Sequence, residues 1–241
     1  MIDPRMSIIA ERLKDIRNIV AVSSGKGGVG KSLVASVLAV ALADSGYRVG
    51  LFDLDFTSPS THVILGIENV HPTEEKGIVP PEVHGIEYMS IIYYSGEFVA
   101  PLRGADVSNV LIELLSITRW GKLDYLILDM PPGIGDATLD LLRLMKGVRF
   151  LIVTTSSILA FETVKKLAGL LKDLGIPVVG VIENMKMNRS RFVGSETEKL
   201  GLRLLGEIPY DTMIEKAIGN VNRLRETVFA TKVGEIKTRI E

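Results

Sequence analysis

The sequence predicts an α/β fold, a doubly wound and mainly parallel sheet flanked by helices. Three observations carry this. Short apolar runs alternate with helix-period segments along the whole chain, the pattern of repeated strand–helix units. The runs ending at Phe52, Asp129, Thr154 and Ile182 show little polar alternation, as strands covered on both faces require. A glycine-rich turn, Gly25-Lys-Gly-Gly-Val-Gly-Lys31-Ser32, lies between a β-branched run (Ile19, Val20, Val22) and a helix-favouring run from Leu33 to Ala43.

In chain order, residues 5–17 are expected to form an amphipathic helix covering the edge or bottom of the sheet, with Met6, Ile9, Leu13 and Ile16 near one face. The first strand runs into the glycine turn. A helix over 31–45 stops at Ser45-Gly46. Val49–Phe52 is the second strand and ends in Asp53-Leu54-Asp55. Residues 56–85, punctuated by Pro59, Pro72, Pro80 and Pro81, are less regular, with a short helix over Ser60–Leu65. Strands are expected at Glu87–Ile92, Asp124–Asp129, Phe150–Thr154 and Pro177–Ile182. Helices are expected at 104–118, Asp136–Met145 and Ser157–Leu174, a loop at Tyr93–Pro101, and a polar loop at 184–195 leading into a short helix. A helix around Asn222–Ile240 closes the chain. No repeat or linker appears, so residues 1–241 read as one domain.

Bulk properties bound the function. The chain has 241 residues, 46% of them hydrophobic, enough for a sizeable core. Lysine and arginine total 28 against 29 acidic residues, a balance that gives no nucleic-acid footprint. No apolar run reaches the ~18 residues of a membrane span, and residues 1–18 carry too many charges for a signal peptide. A cytoplasmic location is expected. Cysteine is absent, so this chain has no thiolate for a disulfide, a nucleophile or an iron–sulfur ligand.

Gly25 to Ser32 fits G-x-x-x-x-G-K-[ST] in the strand–loop–helix setting that the motif needs. Glycines let successive N–H groups point at phosphate oxygens, and the helix start adds its positive dipole end. Gly25, Lys26, Gly27, Gly28, Val29, Gly30, Lys31, Ser32 and Leu33 are the candidate phosphate-binding residues, with Lys31 on the β- and γ-phosphates and Ser32 on Mg²⁺. The alternative is a glycine turn before an ordinary helix. Lys26 is a second lysine that an ordinary phosphate loop does not require. With it, the stretch resembles the MinD/Mrp class of deviant P-loop ATPases, and nearly the whole chain follows that pattern. The resemblance implies that Lys26 reaches the nucleotide of a partner subunit, across a homodimer that sandwiches ATP.

The strand ends carry the other candidates, since ligands bind beyond the carboxyl ends of parallel strands. By the resemblance, Asp129 is a Walker-B aspartate holding Mg²⁺ through water. Pro131-Pro132-Gly133 is a switch whose backbone senses the γ-phosphate. Asp55 activates the attacking water, and Asp53 joins the Mg²⁺ shell. Each alone could be a turn residue. Val181-Ile182-Glu183-Asn184-Met185 matches the family segment whose Asn binds adenine, and Ile208-Pro209-Tyr210-Asp211 matches the opposite wall. The implied ligands are ATP or ADP with Mg²⁺.

Iron–sulfur carriers of this class place Cys-x-x-Cys shortly after the Glu-Asn-Met segment. Here that stretch is Met185-Lys-Met-Asn-Arg-Ser-Arg-Phe-Val193, without cluster ligands. The chain is most similar in texture to the cysteine-less archaeal branch that includes the Mrp-type HypB ATPase of nickel–iron hydrogenase maturation. This implies nickel insertion with a HypA-type chaperone. The alternatives are an Mrp/ApbC-type iron–sulfur carrier or its cysteine-less partner subunit, and a MinD/ParA-like positioning ATPase. His62, His71 and His84 are scattered and read as ordinary side chains before metal ligands. The terminal helix has too few basic and aromatic residues to hold a membrane, so no stable membrane association is expected.

Overall fold

The computed structural model describes residues 5–95, 104–133 and 144–240, with Gly135, Thr138, Leu139 and Leu141. The elements run α1 (Arg5–Leu13), β1 (Ile16–Ser23), α2 (Lys31–Ala43), β2 (Val49–Asp53), α3 (Thr61–Leu65), β3 (Thr73–Glu74), β4 (Ile78–Val79), β5 (Glu82–Val83) and β6 (Ile86–Ser90). Then come α4 (Ile92–Ser95), α5 (Gly104–Ile117), β7 (Leu123–Asp129), β8 (Val148–Thr155), α6 (Ile158–Asp173), β9 (Val178–Lys186) and α7 (Phe192–Lys199). β10 (Leu204–Pro209), α8 (Ile214–Ala217), α9 (Val221–Arg225) and α10 (Val228–Lys237) close the chain. Part of the loop expected at Tyr93–Pro101 and half of the helix expected at Asp136–Met145 lie outside the described residues.

The main sheet has the order β10-β9-β8-β1-β7-β2-β6-β5, parallel throughout except for β5, which pairs antiparallel with β6. β1 lies near the middle, between β7 and β8. The chain winds from β1 toward β2 and β6, returns to β7 beside β1, then continues on the other side through β8 to β10. The carboxyl end of β1 is therefore where the winding reverses, the usual place for a ligand in such sheets.

Strand residues alternate between two cores, so the apolar runs serve both faces. Ile19, Ala21, Leu126, Leu128, Phe150 and Ile152 pack with α1, α5 and α6. Val20, Val22, Tyr125, Ile127, Leu151 and Val153 pack with α2 and α10. Burying both faces is the dominant stabilising term for such a sheet. Among the described residues, no helix is long and apolar enough to cross a membrane.

Three expectations need correcting. The first helix ends at Leu13, because Ile16 already pairs with Leu123 in the parallel ladder. That helix packs on α5, with Arg12 Nε donating to the Ser116 carbonyl (3.1 Å). β9 runs on to Lys186, through residues expected in a polar loop, because Asn184 pairs with Thr155 and Lys186 with Pro209. The closing helix is broken: Thr227 takes extended backbone and its Oγ1 accepts from Ala230 N (3.1 Å), starting a new helix there.

Candidate active site

β1 delivers the chain to Ser24, and residues 25–30 turn over the strand end before α2 begins. Gly30 precedes α2 with φ 82°, the left-handed region where a side chain is strained. A Cβ there would also collide with Asn184 Nδ2. A Cβ at Gly25 would run into Thr163 of α6. The turn is braced from within: Ser24 Oγ donates to the Lys26 carbonyl (2.9 Å) and Asn184 Nδ2 to the Val29 carbonyl (2.9 Å). Val29 is buried, while Lys26, Gly27 and Gly28 are exposed. The result is a turn held at its base with its outer arc open at a helix N-terminus, a shape suited to phosphate. Among the described residues the Lys26 side chain has no hydrogen bond or ion pair. Leu33 is half-buried against the α2 core.

Lys31 is 6% exposed and joins three parts of the chain. Its Nζ lies 2.5 Å from Asp129 Oδ1, 3.1 Å from Ser32 Oγ and 4.0 Å from Asp55 Oδ2. Sheet order makes this possible, because β7 sits between β1 and β2 and places Asp129 level with Val22 and Asp53. Burial pushes the Asp129 carboxyl up to about 7, opposed by the Lys31 ammonium. Among the described residues, Asp129 Oδ2 is buried without a hydrogen-bond partner. This free carboxylate oxygen and the Ser32 hydroxyl form an oxygen donor set of the kind Mg²⁺ prefers, so the residues fit that ion.

Asp53 is different. It is fully buried, and its oxygens already accept from Asp55 N (3.1 Å), Ser60 N (3.2 Å), Thr61 N (3.1 Å) and Thr61 Oγ1 (2.7 Å). Burial raises its carboxyl above the usual range despite these donors. Asp53, expected in the Mg²⁺ shell, here takes three donors from its own chain on Oδ2 and one on Oδ1, which leaves it little room for a further ligand. Asp55 is held on one side only. Thr57 Oγ1 (2.7 Å), Thr57 N (3.3 Å) and Ser58 N (3.1 Å) donate to its Oδ1, and Oδ2 faces Lys31. Gly133 has φ 84°, and its N–H donates to the Ser24 carbonyl (2.9 Å), which brings the Pro131-Pro132-Gly133 turn against the base of the phosphate loop.

Asn184 is 1% exposed and is spent in part on Val29. Pro209 lies beside Lys186 on β10. Asp211 accepts from Met213 N (2.9 Å) and Phe229 N (3.2 Å), tying the end of β10 to α10. His84 Nε2 meets the Leu65 carbonyl (2.9 Å), and His71 stacks edge-on to Tyr93. Among the described residues, no group of three or more His, Cys, Asp or Glu is placed to hold a metal by itself.

Sequence reasoning missed the braces. Thr163 and Thr61 act through tertiary contacts; the hydroxyl-rich run Thr57-Ser58-Pro59-Ser60-Thr61 was the available signal for the second. Beside Asn184, the buried Glu183 accepts from Ser156 Oγ (2.6 Å) and Lys186 Nζ (2.9 Å). Lys186 Nζ also reaches Glu207 Oε1 and the Ser190 carbonyl, each at 2.7 Å. Met185 between them has φ 54°, a strained value that anchored neighbours can hold. Lys186→Met should therefore destabilise the fold by about 3 kcal/mol, because it leaves Glu183 charged and buried without its cation. Urea unfolding checks this; an unchanged midpoint would show the pair to be dispensable.

Comparisons with known proteins bear on this site. A family model described as ParA: NUBPL iron-transfer P-loop NTPase matches residues 15–240. An iron–sulfur cluster carrier protein of Pseudomonas fragi is 44% identical over 180 residues, covering 73% of this chain and 63% of the relative. One from Saccharolobus solfataricus is 37% identical over 223 residues, covering 86% and 75%. The chain thus spans less than two thirds of some of these relatives, 63% of the Pseudomonas protein and 60% of an Aquifex aeolicus carrier. Among solved structures, a nucleotide-binding protein from Archaeoglobus fulgidus in complex with ADP superposes with a TM-score of 0.77 at 31% identity, covering 92% of this chain and 93% of that one. A Pyrococcus furiosus cell division ATPase MinD superposes at 0.70 with 24% identity, covering 92% and 98%, which is a likeness of fold alone.

Proposed function

The chain belongs to the ParA family of P-loop NTPases, in its NUBPL iron-transfer group, and from that premise we propose that it is a Mg²⁺-dependent ATPase acting as a dimeric switch in iron–sulfur cluster assembly. The observation that carries the reading is the convergence of Lys31, Ser32, Asp55 and Asp129 beneath a braced phosphate loop. Lys31 would shift from Asp129 onto the β- and γ-phosphates, a short move for a flexible ammonium. Ser32 and Asp129 would hold Mg²⁺, which when bound neutralises charge on the phosphate oxygens. Asp55 Oδ2 would orient the attacking water. Gly133, hydrogen-bonded to Ser24, would couple γ-phosphate occupancy to the switch turn. Asn184, Pro209 and Asp211 would line the base side. Lys26 would complete the charge around the nucleotide of a second copy.

Iron–sulfur cluster carrier proteins stand among the relatives, which supports iron–sulfur assembly as the client system over the expected nickel insertion with a HypA-type chaperone. With no cysteine in its sequence, this chain would drive or gate a partner that holds the cluster rather than ligate it. Two measurements test the proposal. Phosphate release from ATP should require Mg²⁺, stop with EDTA, and fall at least about 100-fold in Lys31→Ala; equal rates with and without EDTA would overturn the mechanism. The Asp55→Ala protein, used with ATP as bait in native extract, should retain a cysteine-bearing iron–sulfur protein. Retention of a nickel chaperone instead would return the client to hydrogenase maturation.

A further inference from the structure

We propose that Asp53 is a positioning residue, which together with Thr61 and Tyr88 fixes the loop that presents Asp55; the proposal deepens the ATPase reading and rests on it. Asp53 stands at the carboxyl end of β2, fully buried, two residues before Asp55. Its Oδ1 accepts from the Asp55 amide, and its Oδ2 gathers the Ser60 amide, the Thr61 amide and the Thr61 hydroxyl. One carboxylate thus grips both ends of the loop 55–61. The Thr61 proton goes to Asp53, so Thr61 Oγ1 accepts from Tyr88 OH at 2.8 Å. Tyr88 belongs to β6, which pairs with β2 so that Phe52 lies opposite Met89 and Asp53 opposite Ser90. Burial and the nearby Asp53 charge keep the phenol protonated, which suits it as the donor at the head of this chain.

The consequence reaches Asp55 through the backbone. With both ends of the loop held, Thr57 and Ser58 fold back and fill Asp55 Oδ1, leaving Oδ2 turned to Lys31 at 4.0 Å. A buried carboxylate with four protein donors has little capacity left for a metal-bound water without losing some of them. Small displacements of a reacting group cost heavily, about 100-fold for 1 Å. Tyr88, buried in the neighbouring strand, thereby bears on turnover without touching the nucleotide.

The test uses the whole chain and two variants. Asp53→Asn places an amide donor where four donors converge, and Tyr88→Phe removes only the hydroxyl that donates to Thr61 Oγ1 behind them. In steady-state phosphate release, Asp53→Asn should lower kcat about 30-fold or more and Tyr88→Phe about 3- to 10-fold, both with the KM for ATP and the half-saturating Mg²⁺ concentration within about twofold of wild type. Hydrogen exchange should quicken at the amides of Asp55, Ser60 and Thr61 in both variants, with ADP affinity kept. A tenfold rise in half-saturating Mg²⁺ for Asp53→Asn, with kcat restored at high Mg²⁺, would make Asp53 a metal ligand and overturn the proposal. So would unchanged exchange at those three amides in both variants. The exchange readout holds even if the wild-type chain releases no phosphate, in which case the ATPase reading fails alone. Should Asp53→Asn not fold, Tyr88→Phe decides by the same two measurements.

Discussion

Lys26→Ala is expected to bind ATP much as the parent does and to lose turnover by about 10³-fold, the scale of a charge supplied in trans to a transferring phosphoryl group. The structure separates the two lysines of the phosphate loop. Lys31 is buried among Asp129, Ser32 and Asp55, the position from which, in the proposed mechanism, it would serve the nucleotide of its own subunit. Lys26 lies on the exposed arc, and among the described residues its side chain is engaged by nothing. Its backbone carbonyl is held by Ser24, so the loop keeps its shape when the side chain is truncated. Affinity for ADP, set by the loop amides and Lys31, should change little. ATP-dependent dimerisation should disappear together with phosphate release. Equilibrium ADP binding, light scattering with ATP and steady-state release measure the three quantities. Full activity in Lys26→Ala would remove the cross-subunit role.

Gly30→Ala is expected to destabilise the fold and to disable the phosphate loop with a single methyl group. The left-handed backbone at φ 82° costs a side-chain residue about 1–2 kcal/mol. The new Cβ also lands on Asn184 Nδ2, which must move and release the Val29 carbonyl inside the core. An unsatisfied buried group adds about 1–3 kcal/mol. The sum, about 2–5 kcal/mol, corresponds to a fall of about 5–15 °C in Tm for a domain of this size. Nucleotide binding should fail as well, because Gly30 is the last residue of the loop before the helix N-terminus. Calorimetry and ADP titration read the two effects. Asn184→Ala together with Gly30→Ala should recover part of the stability, since the collision is then gone while the backbone strain stays. No recovery would show that strain alone sets the cost.

The phosphate loop was legible because its information is local. Glycines at 25, 27, 28 and 30, followed by Lys31-Ser32, specify a backbone path and a charge within eight residues. Asp129 was legible as the last residue of an apolar run, and β7 does carry it to the centre of the sheet. The strand at 178–186 was misread at its end because Glu183, Asn184 and Lys186 look like loop residues. Glu183 and Asn184 are buried and Lys186 is half-buried, and they pair with Ser156, Val29 and Glu207, all distant in sequence. A polar residue announces exposure only when no partner waits for it inside.

The sequence by itself determined the fold class, the phosphate loop with its extra lysine, the strand ends that bear Asp53, Asp55 and Asp129, and the lack of thiolates. Those follow from residue type, spacing and the unbroken apolar runs of strands covered on both faces, which need no knowledge of what lies across the sheet. Tertiary structure alone decided what each carboxylate does. Asp53 and Asp129 are level on neighbouring strands and both buried, yet one is saturated by a loop folding back and the other keeps a free oxygen beside Lys31. The difference is physical and non-local: the number of donors reaching a buried carboxylate depends on the path of residues 55–61 and on Tyr88 in the adjacent strand.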